Sequence, residues 1–397
     1  MRIIDLFAGA GGFSLGAELA GGHVEHAIEV DGWATESLRF NHPGTRVTQA
    51  DIRQLDDDWI RKEIAPHPDL IIGGPPCQGF SRAGPVDKDP KDPRNSLFRE
   101  FVRFTAALEP SAIILENVPG ILKAKISNGD SVINVIQEEL RGIGYQTQVI
   151  ELQAERFGVP QIRRRIFVVG FSKSDAFLVP ETHGNEHTIF TNQLKPVLTL
   201  RDAISDLPIV DVGDRDEPIV YSGHPINEYQ AEMRLGASEM LYNHVPMRHS
   251  ARLIERFRHI APGGSQSGVP SEHAPIRRVR TVEQGSGTYD QNNRRMHFDK
   301  PCHTLAASFY ANFLHPVLNR NFTVREGARI QSFPDHYRFF GKPTVVSQKL
   351  LAREGRIGEQ HLCQYNQVGN AVPPKLAQAV IGAALTRLGS TSVRIKQ

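Results

Sequence analysis

The sequence predicts an α/β fold: a doubly wound, mostly parallel sheet, followed by a second, smaller and irregular domain. Three features point there. Short apolar runs alternate with helical patterns over about the first 172 residues. A glycine-rich turn joins the first run to the first helical pattern, and two later runs stop at Gly or Pro beside a polar side chain. Such alternation implies crossover helices and parallel strands, and ligands of these sheets collect at the carboxyl ends of the strands.

Taken in order, strands are expected at 3–7, 24–30, 46–50, 70–73, 112–115, 147–152 and 166–171, and helices at 13–20, 33–41, 96–108 and 131–140. In the third helix Leu97, Phe98, Phe101, Val102 and Leu108 share one face while Arg99 and Arg103 turn away. Asp92 or Asn95 supplies its cap. Beyond about residue 172 the chain is rich in Pro, Gly, His and Arg, and Pro262-Gly263-Gly264 and Gly285-Ser286-Gly287 read as loops. A last helix begins at Pro373-Pro374 and runs to about Leu388. Its apolar face (Ala377, Val380, Ile381, Ala384, Leu385, Leu388) is expected to return to the first domain. The expected division is 1–175, 176–355 and 356–397.

The 397 residues carry a net charge of +2, with 40% apolar and 23% charged side chains. That is ordinary for a globular chain, and no run approaches the roughly 18 apolar residues of a membrane span. Met1-Arg2-Ile3-Ile4-Asp5 enters a strand at once, without signal-peptide anatomy, so a cytoplasmic protein that avoids membranes is expected. Cys77, Cys302 and Cys363 are scattered, which points to neither a disulfide framework nor a metal site. Arg248 to Lys300 holds ten Lys/Arg against five Asp/Glu. Such an excess is either a solvated surface or a polyanion contact.

Four stretches carry chemistry. Leu70-Ile71-Ile72 runs into Gly73-Gly74-Pro75-Pro76-Cys77, which holds a thiol on a stiff loop at a strand end. Free cysteines are more often buried and inert, but a core thiol needs no such rigid cradle. Asp5-Leu6-Phe7-Ala8-Gly9-Ala10-Gly11-Gly12 permits close approach of a ligand to backbone at a helix start. Glu29 and Asp51-Ile52 end the next two strands, where they suit ribose and adenine groups or else serve as solvated ends and helix caps. The glycine spacing is not that of a dinucleotide fingerprint, which disfavours a dehydrogenase. Ile113-Ile114-Leu115-Glu116-Asn117-Val118-Pro119-Gly120 repeats the cysteine-loop design and brings Glu116 beside Cys77 if the two strands are neighbours. Within Gln161-Ile162-Arg163-Arg164-Arg165, alternation sends Arg163 and Arg165 to one face and Arg164 to the other.

These segments, in this order, resemble the DNA (cytosine-5)-methyltransferases, in particular bacterial restriction–modification methylases. The resemblance rests on residues 5–16, Glu29, Asp51, Pro75 to Ser81, Arg94 to Phe98, Glu116-Asn117-Val118, Gln161-x-Arg163-x-Arg165, Arg320 to Pro334 and Gln367 to Pro374. It leaves about 173–300 unmatched, the part that reads DNA in the family. It implies a Rossmann-like methyltransferase fold and methyl transfer from S-adenosyl-L-methionine to C5 of a flipped-out cytosine in double-stranded DNA.

Cys77 is then the nucleophile, Glu116 and Arg165 hold the base, and Arg163 braces them. Phe7, Gly9, Gly11, Gly12, Glu29, Asp51, Ile52, Pro75, Leu97 and Asn370 bind the cofactor. Gln78, Ser81, Arg252, Arg277, Arg278, Arg280 and Thr304 meet DNA, with Thr304-Leu305 as the pair that orients the target. One departure is Val30, where relatives carry an aromatic that packs on adenine, so stacking falls to Phe7. The family implies a bacterial, nucleoid-associated monomer that needs no metal, with room for a cognate restriction endonuclease. The alternatives are tRNA cytosine methylation, disfavoured by Gly79-Phe80-Ser81 after Cys77-Gln78, and a non-catalytic DNA-binding relative, disfavoured by the intact site.

Overall fold

The structure is a computed structural model that describes residues 1–76, 97–126, 129–172, 177–184, 194–274, 292–344, 348–353, 355 and 361–394. Cys77, Gln78, Ser81, Asp92, Asn95, Arg277, Arg278 and Arg280 lie outside the described residues.

The first part supplies strands β1 (Arg2–Leu6), β2 (His23–Glu29), β3 (Arg46–Gln49), β4 (Leu70–Gly73), β5 (Ala112–Asn117), β6 (Gln146–Gln153), β7 (Gln161–Ile162) and β8 (Arg164–Phe171). Its helices are α1 (Gly12–Leu19), α2 (Gly32–Asn41), α3 (Asp57–Glu63), α4 (Leu97–Leu108) and α5 (Val132–Gly142). Seven strands form one sheet in the order β3-β2-β1-β4-β5-β8-β6. All pairs in it are parallel except those of β8, which is antiparallel to both β5 and β6. Every expected strand and helix of this part is present. α3 was not among the expected helices, because it buries only Ile60 and so shows no apolar stripe; it starts where Asp56 accepts from the Trp59 N–H.

Alternation along the strands builds two cores. Ile3, Ile72, Ile114 and Val169 face α1 and a C-terminal helix, while Ile4, Ile71, Ile113 and Val168 face α3, α4 and α5. The polar strand ends are thereby left together at the carboxyl edge of β1, β2, β4 and β5.

The rest of the chain holds short pieces: α6 (Leu200–Ile204), β9 (Ile219–Val220), α7 (Glu228–Met233), β10 (Met240–Leu241) and α8 (Ala251–Arg258). Then come β11 (Arg294–Arg295), β12 (Cys302–His303), α9 (Phe309–Asn312), β13 (Phe313–Leu314), α10 (Val324–Ile330) and α11 (Gln348–Arg353). The chain closes with α12 (Gln364–Asn370) and α13 (Pro374–Arg394). Its last helix returns to the sheet as expected and is longer than expected. It packs so closely on α1 that a Cβ at Gly16 would lie 2.3 Å from that of Ala377.

In the irregular region guanidiniums do much of the tying. Arg329 is fully buried against Asp206 and Asp335, and Arg320 against Glu326. Arg325 donates to the carbonyls of Tyr242, Pro334 and Tyr337. Arg295 counts toward the basic excess expected to meet a polyanion, but it is buried. It donates to the carbonyls of Ile260, His315, Leu318 and Phe257. Loops leave carbonyls that no ladder satisfies, and a five-donor fork satisfies several at once.

Candidate active site

β4 and β5 are hydrogen-bonded neighbours, with Gly73 opposite Leu115. The loop that leads to Cys77 therefore starts beside Glu116. A Cβ at Gly74 would lie 3.3 Å from Glu116 Oε2. Asn117 Nδ2 donates to the Pro75 carbonyl at 3.1 Å and ties that loop to β5. Asn117 falls within the Glu116 motif, and its adjacency to Glu116 is the one signal of it in the sequence.

Arg165 lies antiparallel across from this edge and meets Glu116 Oε1 through Nε at 2.7 Å, with both side chains nearly buried. Burial pushes the Glu116 carboxyl up from its ordinary value, and Arg165 and then Arg163 pull it back. Arg164 points away, exposed, and pairs with Glu151, so the expected alternation holds. Arg163 is buried, and its Nη atoms donate to the carbonyls of Leu305, Gly369 and Ala371 at 2.8, 3.0 and 3.1 Å. Its contacts are thus with backbone rather than with Glu116. Thr304 is exposed, and its hydroxyl donates to the Ile162 carbonyl at 2.7 Å.

The glycine loop lies at the head of α1. Phe7 takes a left-handed φ of 61°, a costly conformation for a non-glycine residue, and packs half-buried on the core. Around a Cβ at Gly9 there is nothing within 4 Å. Gly11 and Gly12 differ. A Cβ at Gly11 would lie 2.5 Å from Tyr337 Oη, and one at Gly12 would lie 2.5 Å from the Val372 carbonyl oxygen. Their lack of a side chain makes room for α2, α10's following turn and the chain before α13. Gly9, with a left-handed φ of 57° and open space where a Cβ would stand, is the loop glycine with room above it.

Glu29 is buried and accepts from the N–H groups of Gly9, Val30 and Asp31, each at 2.8 Å. Oε1 takes two of these bonds and Oε2 one, which leaves Oε2 the acceptor for a further hydroxyl. Burial again raises its pKa. Asp51 caps the turn Ile52–Gln54 and pairs with Arg53, the cap reading rather than a free acceptor, and this holds its pKa down. Ile52, Pro75 and Leu97 are buried, while Asn370 and Val30 are exposed. These residues, with an open Cβ position at a helix start beside a buried carboxylate, fit an adenosyl group.

Cys302 and Cys363 are buried free thiols, and burial pushes both pKa values up. Arg252 lies exposed on α8. One metal-ligand group missed in the sequence does assemble among the described residues: ligand atoms of Glu255, His259 and His273 lie within 4.8 Å of one another. The two imidazoles stack at 4.3 Å and 17°. One ion cannot lie in both of two stacked ring planes, so this arrangement is not a chelate.

A mostly parallel seven-stranded sheet with one antiparallel strand, a glycine loop after β1 and acids at the next strand ends define a methyltransferase of the Rossmann-like kind. The chain belongs to the C-5 cytosine-specific DNA methylase family, whose model matches residues 1–386. It is 46% identical over 380 residues to the type II methyltransferase M.DdeI of Desulfomicrobium norvegicum, covering 96% of this chain and 87% of that one. It is 33% identical over 387 residues to M1.HphI of Haemophilus parahaemolyticus, covering 97% and 87%. A crystal structure from E. coli, provisionally named a prophage-encoded DNA modification methyltransferase, superposes with a TM-score of 0.70 at 26% identity. It covers 98% of this chain and 99% of that one. Among the described residues no helix is long and apolar enough to cross a membrane.

Proposed function

We propose that this enzyme methylates C5 of one cytosine within a specific double-stranded DNA sequence, using S-adenosyl-L-methionine. The division of labour is a catalytic domain at 1–175, a target-recognition domain at 176–355 and a C-terminal segment at 356–397 that closes the cofactor pocket. The carrying observation is the Glu116–Arg165 pair beside the loop that leads into Cys77.

C5 of cytosine is a poor nucleophile. The Cys77 thiolate adds to C6, and the displaced electron pair makes C5 nucleophilic. S-adenosylmethionine, held by Gly9, Glu29 and Phe7, would supply the methyl group from its sulfonium and would depart as the neutral thioether. C5 then loses its proton to a water molecule, the electron pair returns to the ring, and the C6–S bond breaks to release the Cys77 thiolate. Glu116, held toward its protonated form by burial, donates to N3 and accepts from the amino group as charge develops. Arg165 fixes that carboxyl group through Nε and offers to O2 the N–H groups not engaged by Glu116 or the Arg164 carbonyl. Arg163 braces the strand end. Gly9, Glu29 and Phe7 hold the adenosyl group, with Asp51, Ile52, Pro75, Leu97 and Asn370 around it.

The target carbon is hidden in stacked duplex, so the nucleotide must rotate out, at a cost of a few kcal/mol. Arg252, with Arg277, Arg278 and Arg280, contacts phosphates, and Gln78 and Ser81 meet the DNA beside the thiol. The enzyme acts as a cytoplasmic monomer that shares its recognition site with a cognate endonuclease. The test is Cys77→Ser together with 5-fluorocytosine in a methylated-site duplex mapped by bisulfite sequencing. The wild type should form a denaturant-stable adduct, and the variant should bind cofactor but neither methylate nor crosslink. Retained turnover by the variant would remove Cys77 from the mechanism. Labelled-methyl transfer to tRNA in place of duplex would favour the tRNA reading.

A further inference from the structure

Three consecutive residues of the strand end clamp one turn of the second region. The Leu305 N–H donates to Gln161 Oε1 at 2.8 Å, the Thr304 hydroxyl to the Ile162 carbonyl at 2.7 Å, and Arg163 Nη1 to the Leu305 carbonyl at 2.8 Å. β12 pairs in parallel with β7 just before this turn, Cys302 opposite Gln161. The Gln161 and Arg163 side chains are also linked to the C-terminal segment, Gln161 through Gln331 and Arg163 directly. Gln161 Nε2 donates to Gln331 Oε1 at 2.8 Å, and Gln331 Nε2 donates to the Val368 carbonyl at 2.8 Å. Arg163 Nη2 holds the carbonyls of Gly369 and Ala371. Ala371 and Val372 lie directly on the glycine loop, 3.1 and 2.5 Å from where a Cβ of Gly12 would be. Gln161, Arg163 and Gln331 are essentially without solvent exposure.

We propose that the buried amide pair Gln161–Gln331, acting beside Arg163, thermodynamically couples cofactor occupancy of the glycine loop to the posture of the Thr304–Leu305 turn. Gln161 and Gln331 are then positioning residues that make cofactor and DNA bind cooperatively. This rests on the function proposed above, in which the loop holds the adenosyl group and the turn faces the target. The physical basis is that no hydrogen bond in the chain can be broken singly. If residues 368–372 shift as the cofactor presses on the glycine loop, the Gln331 amide, which donates to the Val368 and Ala371 carbonyls of that segment, either follows or loses buried hydrogen bonds. Gln161 and the Leu305 N–H must then follow in turn. Arg163 Nε is buried without a hydrogen-bond partner. The guanidinium is thus fixed by its contacts to the two segments alone, and small relative movements of 305 and 371 act on it directly.

The test measures dissociation constants for the target duplex, by fluorescence anisotropy, with and without saturating S-adenosylhomocysteine. The proteins are the wild type, Gln331→Met, Gln161→Met and the double variant. The wild type should bind duplex more tightly with S-adenosylhomocysteine, and by reciprocity bind that product more tightly with duplex. Either single variant should shrink this cooperativity factor by roughly two- to thirtyfold. The double variant should lose no more than one single variant, and affinity for S-adenosylhomocysteine alone should stay within about twofold. An unchanged factor, additive losses in the double variant, or both binary affinities falling in step with the unfolding midpoint would each overturn the inference. Should Gln331→Met not fold, Gln331→Asn keeps an amide too short to span both partners and gives the same readout. A wild type that turns over but shows no cooperativity also overturns the inference and leaves the proposed function standing. A wild type with no methyl transfer to any duplex overturns that function instead.

Discussion

The sheet and the irregular region bury their carboxyl groups in opposite ways. At the sheet edge Asp5 is buried with only the Ser14 hydroxyl on Oδ2, at 2.5 Å, and its Oδ1 has no partner. Burial, with Glu29 nearby, pushes its pKa up to about 7. Glu29 and Glu116 rise for the same reason. In the irregular region Glu326 sits just as deep, but Arg320 holds it with two hydrogen bonds and drives its pKa far below the carboxylate range. Asp335, between Arg329 and Arg325, is held down likewise. The lesson is that depth alone does not set a carboxyl's charge. Where the fold needs cohesion it supplies a guanidinium. At the sheet edge the acids stay raised even where they are bonded, Glu116 by Arg165 and Glu29 by three N–H groups, and such perturbed acids mark a candidate site.

The strongest way to break this contrast is Arg329→Met. It takes the shared guanidinium from two buried acids, leaving Asp206 to Arg234 and Asp335 to Arg325 and Tyr221, and should cost about 3–5 kcal/mol, against about 0.5–1.5 kcal/mol for Ile72→Val in the sheet core. Urea midpoints of the two variants check the difference; equal losses would mean that the arginine core is not what holds the second region.

A pH series of unfolding midpoints sharpens it. Asp5 has a raised folded pKa, so its contribution is complete below the ordinary carboxylate range and is lost as pH rises through about 7. Glu326 has a depressed one, so its contribution is present above that range and is lost as pH falls toward the folded value. Asp5→Asn should therefore gain on the wild type as pH rises from about 4 to above 7, whereas Glu326→Gln should be most destabilised near neutrality and approach the wild type in acid. Parallel curves would mean that the two acids are not differently charged.

The smallest effect is at the surface. Arg252→Ala should leave stability within about 0.5 kcal/mol. It should weaken duplex binding and reduce the salt slope of log Kd by about one; an unchanged slope would take Arg252 off the phosphate backbone.

The sequence by itself determined the sheet, because strand runs, helical stripes and turn residues are local signals with periods of two and 3.6. It also determined which residue types stand at the strand ends, and the family. Motifs such as Glu116-Asn117-Val118 and Gln161-x-Arg163-x-Arg165 carry their chemistry in adjacent residues. Only the tertiary structure decided what those residues touch. A side chain at Gly11 or Gly12 would collide with Tyr337 or Val372, a packing demand on these two glycines that the loop motif does not record. Arg295 looked like part of a basic surface until five acceptors from distant loops closed on it. Arg163 and Gln161 proved to be junctions whose partners lie more than a hundred residues away. The physical reason is one of range. Propensity and periodicity act over a few residues, whereas a buried polar group is satisfied by whichever backbone the whole fold brings within about 3 Å, and nothing in the neighbouring sequence records which that is.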